Sequence, residues 1–143
     1  LGLRNPFGIA ADSRGPMYVL DNGETGFDTV YQLRAGANYG WPSSVVPKGV
    51  AVQAPIHTYL ESTGLASAVL YHGRLSALDG VLLFCQFHQL GALHWFEPRP
   101  TDVVQDRILS TSCSSGIRQL PDEYLYFLDY ITGSLMRIRD GAS

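Results

Sequence analysis

Positive charge is scarce in this sequence. Lys48 is the only lysine among 143 residues, the arginines are scattered without a basic run, and the formal net charge is −3. A chain without a basic stripe lacks the electrostatic footprint of nucleic-acid or anionic-membrane binding, so neither partner is expected. Long apolar stretches are missing too: Val81-Leu82-Leu83-Phe84 falls far short of the roughly 20 residues of a membrane-spanning helix. No segment shows helical periodicity with caps. The four histidines, His57, His72, His88 and His94, never stand at an HxH or HExxH spacing, which leaves zinc unsupported. A triad of Ser67, His72 and Asp79 can be assembled on paper, but no G-x-S-x-G elbow accompanies it. Cys85 and Cys113 leave two readings open, a disulfide or two buried thiols. There is neither an initiator methionine nor a secretory signal, and the chain opens inside a motif, Leu-Gly-Leu-Arg-Asn. The expectation is a processed or truncated piece of a longer polypeptide.

What is present reads as short strands. Hydrophobic residues make up 45% of the chain, enough for one domain with a real core. Gly8-Ile9-Ala10-Ala11, Met17-Tyr18-Val19-Leu20 and Thr29-Val30-Tyr31-Gln32-Leu33 are strand-like by length and residue type, with a Gly-Pro turn over residues 12–16. They predict a small antiparallel meander, with His57-Thr58-Tyr59-Leu60 as its outer strand after a Pro- and Gly-bearing loop. A second set runs Ala66–Tyr71, Val81–Phe87, Ala92–Phe96 and Asp106–Leu109; the continuous apolar run at Val81 predicts a strand buried on both faces. A third set comprises Gly116–Leu120, Tyr124–Leu128 and Ser134–Ile138.

The first and third sets share a layout. MYVLDN matches YLYFLDY, and VYQLR matches LMRIR, at an offset of roughly 107 residues, about two repeats of the 40–50-residue period of propeller blades. The fold expectation is therefore all-β, a β-propeller segment of about three four-stranded blades over residues 3–62, 65–110 and 113–140. The third blade lacks a fourth strand, and Leu1-Gly2-Leu3 is read as the end of an outer strand. Three blades cannot close a ring, and an open half would expose sheet edges. The remaining blades, or a partner protein, are expected to complete it.

The stretch from Leu3 to Pro42 carries a family signature. Arg4-Asn5-Pro6-Phe7-Gly8, Asp21-Asn22-Gly23 followed by Asp28, and Asn38-Tyr39-Gly40-Trp41-Pro42 occur in this order within forty residues. In this the chain resembles the glucose/sorbosone dehydrogenase family, six-bladed propeller quinoproteins that oxidise aldoses with pyrroloquinoline quinone (PQQ) and calcium. The resemblance implies a partial six-bladed ring corresponding to the C-terminal half, a sugar substrate, and periplasmic or extracellular residence in a bacterium. It implies cofactor contacts from Arg4, Asn5, Asn22 and Asp28, and calcium ligation near Gly23, Glu24 and Tyr39. A guanidinium grips carboxylates at two points, an amide both donates and accepts, and calcium favours oxygen ligands on a flexible loop.

Departures from the family pattern accompany these matches. Glu24 replaces a usual proline, and Asp28-Thr29 replaces an acidic pair. Gln89 stands where a cofactor-pairing lysine is common, and the family's R-x-R pair falls on Cys113 and Ser115, with Arg118 displaced by several residues. The family's general base, a histidine, belongs to an earlier blade outside this sequence. Three functions follow as expectations: a quinone-dependent sugar or aldehyde dehydrogenase, incomplete as this chain; a non-catalytic binding or assembly module that has lost the quinone pocket; and a calcium-dependent lactonase-type hydrolase using Asn5, Asn22 and Asp28.

Overall fold

Alternating and continuous apolar runs produce eleven strands in the computed structural model, which describes residues 1–12, 15–98 and 106–140. They form three antiparallel sheets. The first is a meander of β1 (Pro6–Ala11), β2 (Met17–Asp21), β3 (Asp28–Gln32) and β4 (His57–Tyr59), in that order. The second repeats it with β5 (Leu65–Leu70), β6 (Leu82–Gln86), β7 (Ala92–Phe96) and β8 (Asp106–Ser110). The third holds β9 (Gly116–Gln119), β10 (Leu125–Asp129) and β11 (Ser134–Arg137). The only helical segments among the described residues are short 3-10 turns at Ser43–Val45 and Ser76–Leu78. The all-β propeller expectation holds.

β6 is buried along its whole length, as its continuous apolar run predicts, because a middle strand of the central sheet is covered on both faces. On one side Leu82 and Phe84 pack with Leu20, Val30, Leu65 and Phe96, joining the first and second sheets. On the other, Leu83 and Cys85 pack with Leu93, Cys113, Ile117 and Leu125, joining the second and third. Each fully buried Leu or Phe contributes about 1.5–3 kcal/mol. Cys85 and Cys113 form a disulfide across this second interface, which settles the choice left open above.

Polar clamps reinforce the same seams. Asn22 receives the Leu65 amide on Oδ1 (2.7 Å) and donates Nδ2 to the Leu65 carbonyl (2.9 Å). Gln119 bridges His72 in the same two-ended way between the second and third sheets. The inner strands β1 and β5 come so close that a Cβ at Gly8 would strike the Ala66 carbonyl, so glycine is required there.

One expectation is corrected. Leu1 and Gly2 are not strand; their carbonyls accept from the Tyr39 and Trp41 amides (2.9 and 2.8 Å), which docks the segment on the aromatic turn. That turn acts within the first sheet, where Tyr39 packs edge-on against Tyr31 at 4.9 Å and holds both backbone groups of Arg34 through its hydroxyl. The predicted turn over residues 12–16 closes through the Gly15 amide and the Asp12 carbonyl (3.4 Å), while Ser13 and Arg14 lie outside the described residues.

Candidate functional site at the inner strand ends

The ends of β1 and β2 and the start of β5 converge on one loop cluster. Asp21, the last residue of β2, accepts the Arg4 amide on Oδ2 (3.0 Å) and the Asn5 amide on Oδ1 (2.7 Å). The Asn22 amide returns a bond to the Asn5 carbonyl (3.1 Å). Asp21 thus presents the Arg4-Asn5 pair, a role that the strand-ending Asp of the MYVLDN pattern marked without revealing.

Asp28 fixes the loop from below. Only 1% of it is exposed, and its carboxylate accepts three backbone amides: Gly23 (2.8 Å), Thr63 (2.7 Å) and Gly64 (2.7 Å). Glycine is needed at position 23, because a Cβ would collide with the Gly26 carbonyl. Asn22 and Asp28 therefore spend their polar atoms inside the fold, and act on the site through the loop that they hold.

Arg4 lies across that loop. Its Nη1 donates to the carbonyls of Asn22 (3.2 Å) and Gly23 (2.8 Å), and the guanidinium sits 5.5 Å from the Trp41 ring centre. One depression of about 360 Å³ beside it is lined by Arg4, Asp21, Gly23, Glu24, Tyr39 and Trp41. A larger groove of about 640 Å³ adjoins it along Asn22, Gly23 and Glu24, and is walled by Asn5, Phe7, Phe87, His88, Ser114 and Ser115. Arg4, Asn5, Asn22, Gly23, Glu24 and Tyr39 are thus brought together around two joined hollows, and Asp28 lies beneath them. Sequence reasoning missed Phe7, Phe87 and Ser114, whose placement depends on which strand ends meet.

The expected cationic positions are otherwise filled. Cys113 is buried in the disulfide, Ser115 faces the groove, and Gln89 lies in a separate cleft with Tyr59 and His94. Ser67 bonds to Arg118 (2.7 Å) and the Ile117 carbonyl (3.3 Å), whereas His72 pairs with Asp79 (2.9 Å), so the paper triad is not assembled. No group of three or more His, Cys, Asp or Glu residues suited to a metal occurs among the described residues.

A second polar cluster supports the seam behind the groove. His94, 4% exposed, places Nδ1 at 2.8 and 3.0 Å from the Asp106 oxygens and Nε2 at 2.9 Å from Gln86 Oε1, with Phe84 stacked on its ring. The Tyr59 hydroxyl donates to Asp106 (2.8 Å); burial, then the adjacent carboxylate, push its pKa well up, so it remains a donor. Burial pushes the Asp106 carboxyl up, but hydrogen bonding and charge from His94, with Tyr59 and His57, outweigh it and hold the carboxyl below its usual range. Burial likewise lowers the neighbouring His57 imidazole. A carboxyl depressed in the folded state adds stability that is complete above its unfolded pKa, about 3.9, and is lost as pH falls through the folded value. Asp106→Asn is expected to flatten the loss of stability below about pH 4. Thermal melts across that range check it, and an unchanged acid limb would refute the assignment.

The sequence model of the Glucose / Sorbosone dehydrogenase family matches residues 1–137. Among solved structures, a glucose dehydrogenase is 29% identical over 99% of this chain and 45% of its own, with a TM-score of 0.80. The apo form of the soluble aldose sugar dehydrogenase from Escherichia coli is 21% identical, with a TM-score of 0.77, over 95% of this chain and 45% of its own. The PQQ-bound aldose sugar dehydrogenase from Streptomyces coelicolor is 18% identical, with a TM-score of 0.64, over 99% and 41%. The last two are likenesses of fold. No curated protein sequence matches the chain. The chain spans less than half the length of these solved relatives.

Proposed function

We propose, from the premise that this chain belongs to the glucose/sorbosone dehydrogenase family, that it supplies part of the site of a sugar or aldehyde dehydrogenase using PQQ and calcium. The carrying observation is the perch of Arg4. A single cationic nitrogen rests on two adjacent carbonyl oxygens, those of Asn22 and Gly23. Oxygens converging on one cation are the donor chemistry that calcium takes. The residues present thus fit one ligand carboxylate at Arg4, with Asn5 as the neighbouring amide, and a divalent cation on the Gly23 carbonyl once the Arg4 guanidinium turns from it to that carboxylate. When bound, PQQ supplies the hydride acceptor; the chain positions cofactor and sugar. Glu24 and Tyr39, at the same depression, complete the proposed oxygen-bearing surroundings of the ion.

The complete protein carrying this chain, titrated with PQQ and calcium, is expected to reduce an electron-accepting dye with aldoses. Arg4→Ala is expected to weaken PQQ binding about 10- to 100-fold, the worth of a charge-assisted hydrogen-bonded pair. Binding measured by cofactor absorbance checks this directly, and unchanged affinity would remove Arg4 from the role.

A second reading, a non-catalytic binding module, draws on one observation. Among the described residues Arg4 is the only Arg or Lys lining either hollow, and Cys113 is committed to the disulfide. A trianionic quinone meets less positive charge here than the family pattern implies. Sugar binding without any PQQ uptake would favour this reading. Completion of the ring by further blades or by a partner is proposed under both. The disulfide supports residence in an oxidising compartment, periplasmic or extracellular. Among the described residues no helix is long and apolar enough to cross a membrane.

A further inference from the structure

Adjoining the groove is a cavity that the proposed cofactor contacts do not use. It measures about 280 Å³ and is lined by Phe7, Ile9, Ser67, Ser115 and Arg118. Phe7 and Ser115 also wall the groove, so the two spaces are continuous. Arg118 stands on β9, three residues beyond Ser115, or about 10 Å farther along the chain at strand rise. Among the described residues it is the only charged one in the cavity wall.

The guanidinium is oriented rather than loose. Its Nη1 donates to Ser67 Oγ on β5 and to the Ile117 carbonyl, both at 2.7 Å. No other hydrogen bond from this guanidinium, and no ion pair to a carboxylate, is formed among the described residues. The Nε–Nη2 edge, which grips a carboxylate at two points, is left for a ligand. Glu24 lines the groove and not the cavity. Negative charge on the groove and positive charge on the cavity favour an anionic ligand that places its carboxylate at Arg118. The intervening walls offer the exposed Ser115 hydroxyl and the aromatic faces of Phe7 and Phe87, a lining suited to a polyol.

We propose that Arg118 is the carboxylate anchor of a subsite for acidic sugars, aldonates or uronates, whose hydroxyls lie toward the groove. The proposal rests on the reading that the groove takes a sugar. Ser67 is then a positioning residue for the guanidinium.

The test is calorimetric titration of the complete protein with gluconate, glucose and acetate. Gluconate is expected to bind about 10- to 100-fold more tightly than glucose, the range of a charge-assisted pair. Arg118→Gln should bring gluconate to the level of glucose while glucose affinity stays, which also shows that the variant is folded. Arg118→Lys should keep part of the preference, because charge persists while the two-point grip is lost. Equal affinity for gluconate and glucose in the natural protein overturns this subsite and leaves the sugar reading standing. So does unchanged gluconate binding in Arg118→Gln. Acetate binding as tightly as gluconate overturns it in favour of a bare anion site. Binding of none of the three overturns both this proposal and the sugar reading.

Discussion

Replacing Asp28 by alanine is expected to cost about 3–5 kcal/mol of folding stability, because the site loop hangs on this one carboxylate. Its two oxygens hold the amides of Gly23, Thr63 and Gly64, and the residue is 1% exposed. Alanine would leave three donors without their partner, one buried at Thr63 and two half-buried at Gly23 and Gly64. The loss comes from orphaned donors more than from the hydrogen bonds themselves. Asp28→Asn keeps the shape but turns one donor group toward other donors, so an intermediate loss of about 2–3 kcal/mol is expected. Urea unfolding of the complete protein, read by near-ultraviolet circular dichroism, measures both. A loss below about 1 kcal/mol for the alanine variant would show that the loop is held elsewhere. The effect should reach the ligand as well. With Gly23 released, the paired carbonyls under Arg4 lose their convergence, and cation binding should weaken together with stability.

Removing the Cys85–Cys113 disulfide is expected to be comparably damaging. The cysteines are 28 residues apart in sequence, and constraining a loop of that length in the unfolded chain is worth about 3–4 kcal/mol. Both residues are fully buried where the second and third sheets meet, so the double alanine variant also loses packing. Unfolding midpoints of Cys85→Ala with Cys113→Ala, against the oxidised natural protein, give the difference. Two thiols titrating in denaturant without reductant would contradict the bridge itself. Reduction has a second, local consequence. Ser114 and Ser115 follow Cys113 directly and wall the groove, so hydrogen exchange over residues 111–116 should rise when the bridge opens. If exchange there is unchanged, the groove wall is held by β-pairing alone.

Much of the strand order was legible because local residues decide it. Val81 to Cys85 is apolar without alternation, and such a run can only be a strand covered on both faces or a helix too short to persist. Turn residues at 79–80, 121–123 and 132–133 separate the runs, and the repeat between MYVLDN and YLYFLDY marks a shared sheet layout. The Arg4-Asn5, Asp21-Asn22-Gly23 and aromatic-turn motifs lie close enough in sequence to identify the family by pattern.

The use of each site residue was decided elsewhere. Nothing local distinguishes an Asn22 that faces a ligand from one that clamps Leu65, or an Asp28 that binds metal from one that binds three amides. The Leu65, Thr63 and Gly64 partners come from the start of the next sheet and the connection into it, more than thirty residues away. The bond between Cys85 and Cys113, and the meeting of Arg118 with Ser67 across 51 residues, arise in the same way. Periodicity and turn chemistry act over a few residues, so the sequence by itself determined strands, repeat and family. Sheet-on-sheet packing brings distant backbone groups within hydrogen-bond reach. Only that packing decided which polar atoms are consumed by the scaffold and which remain for a ligand.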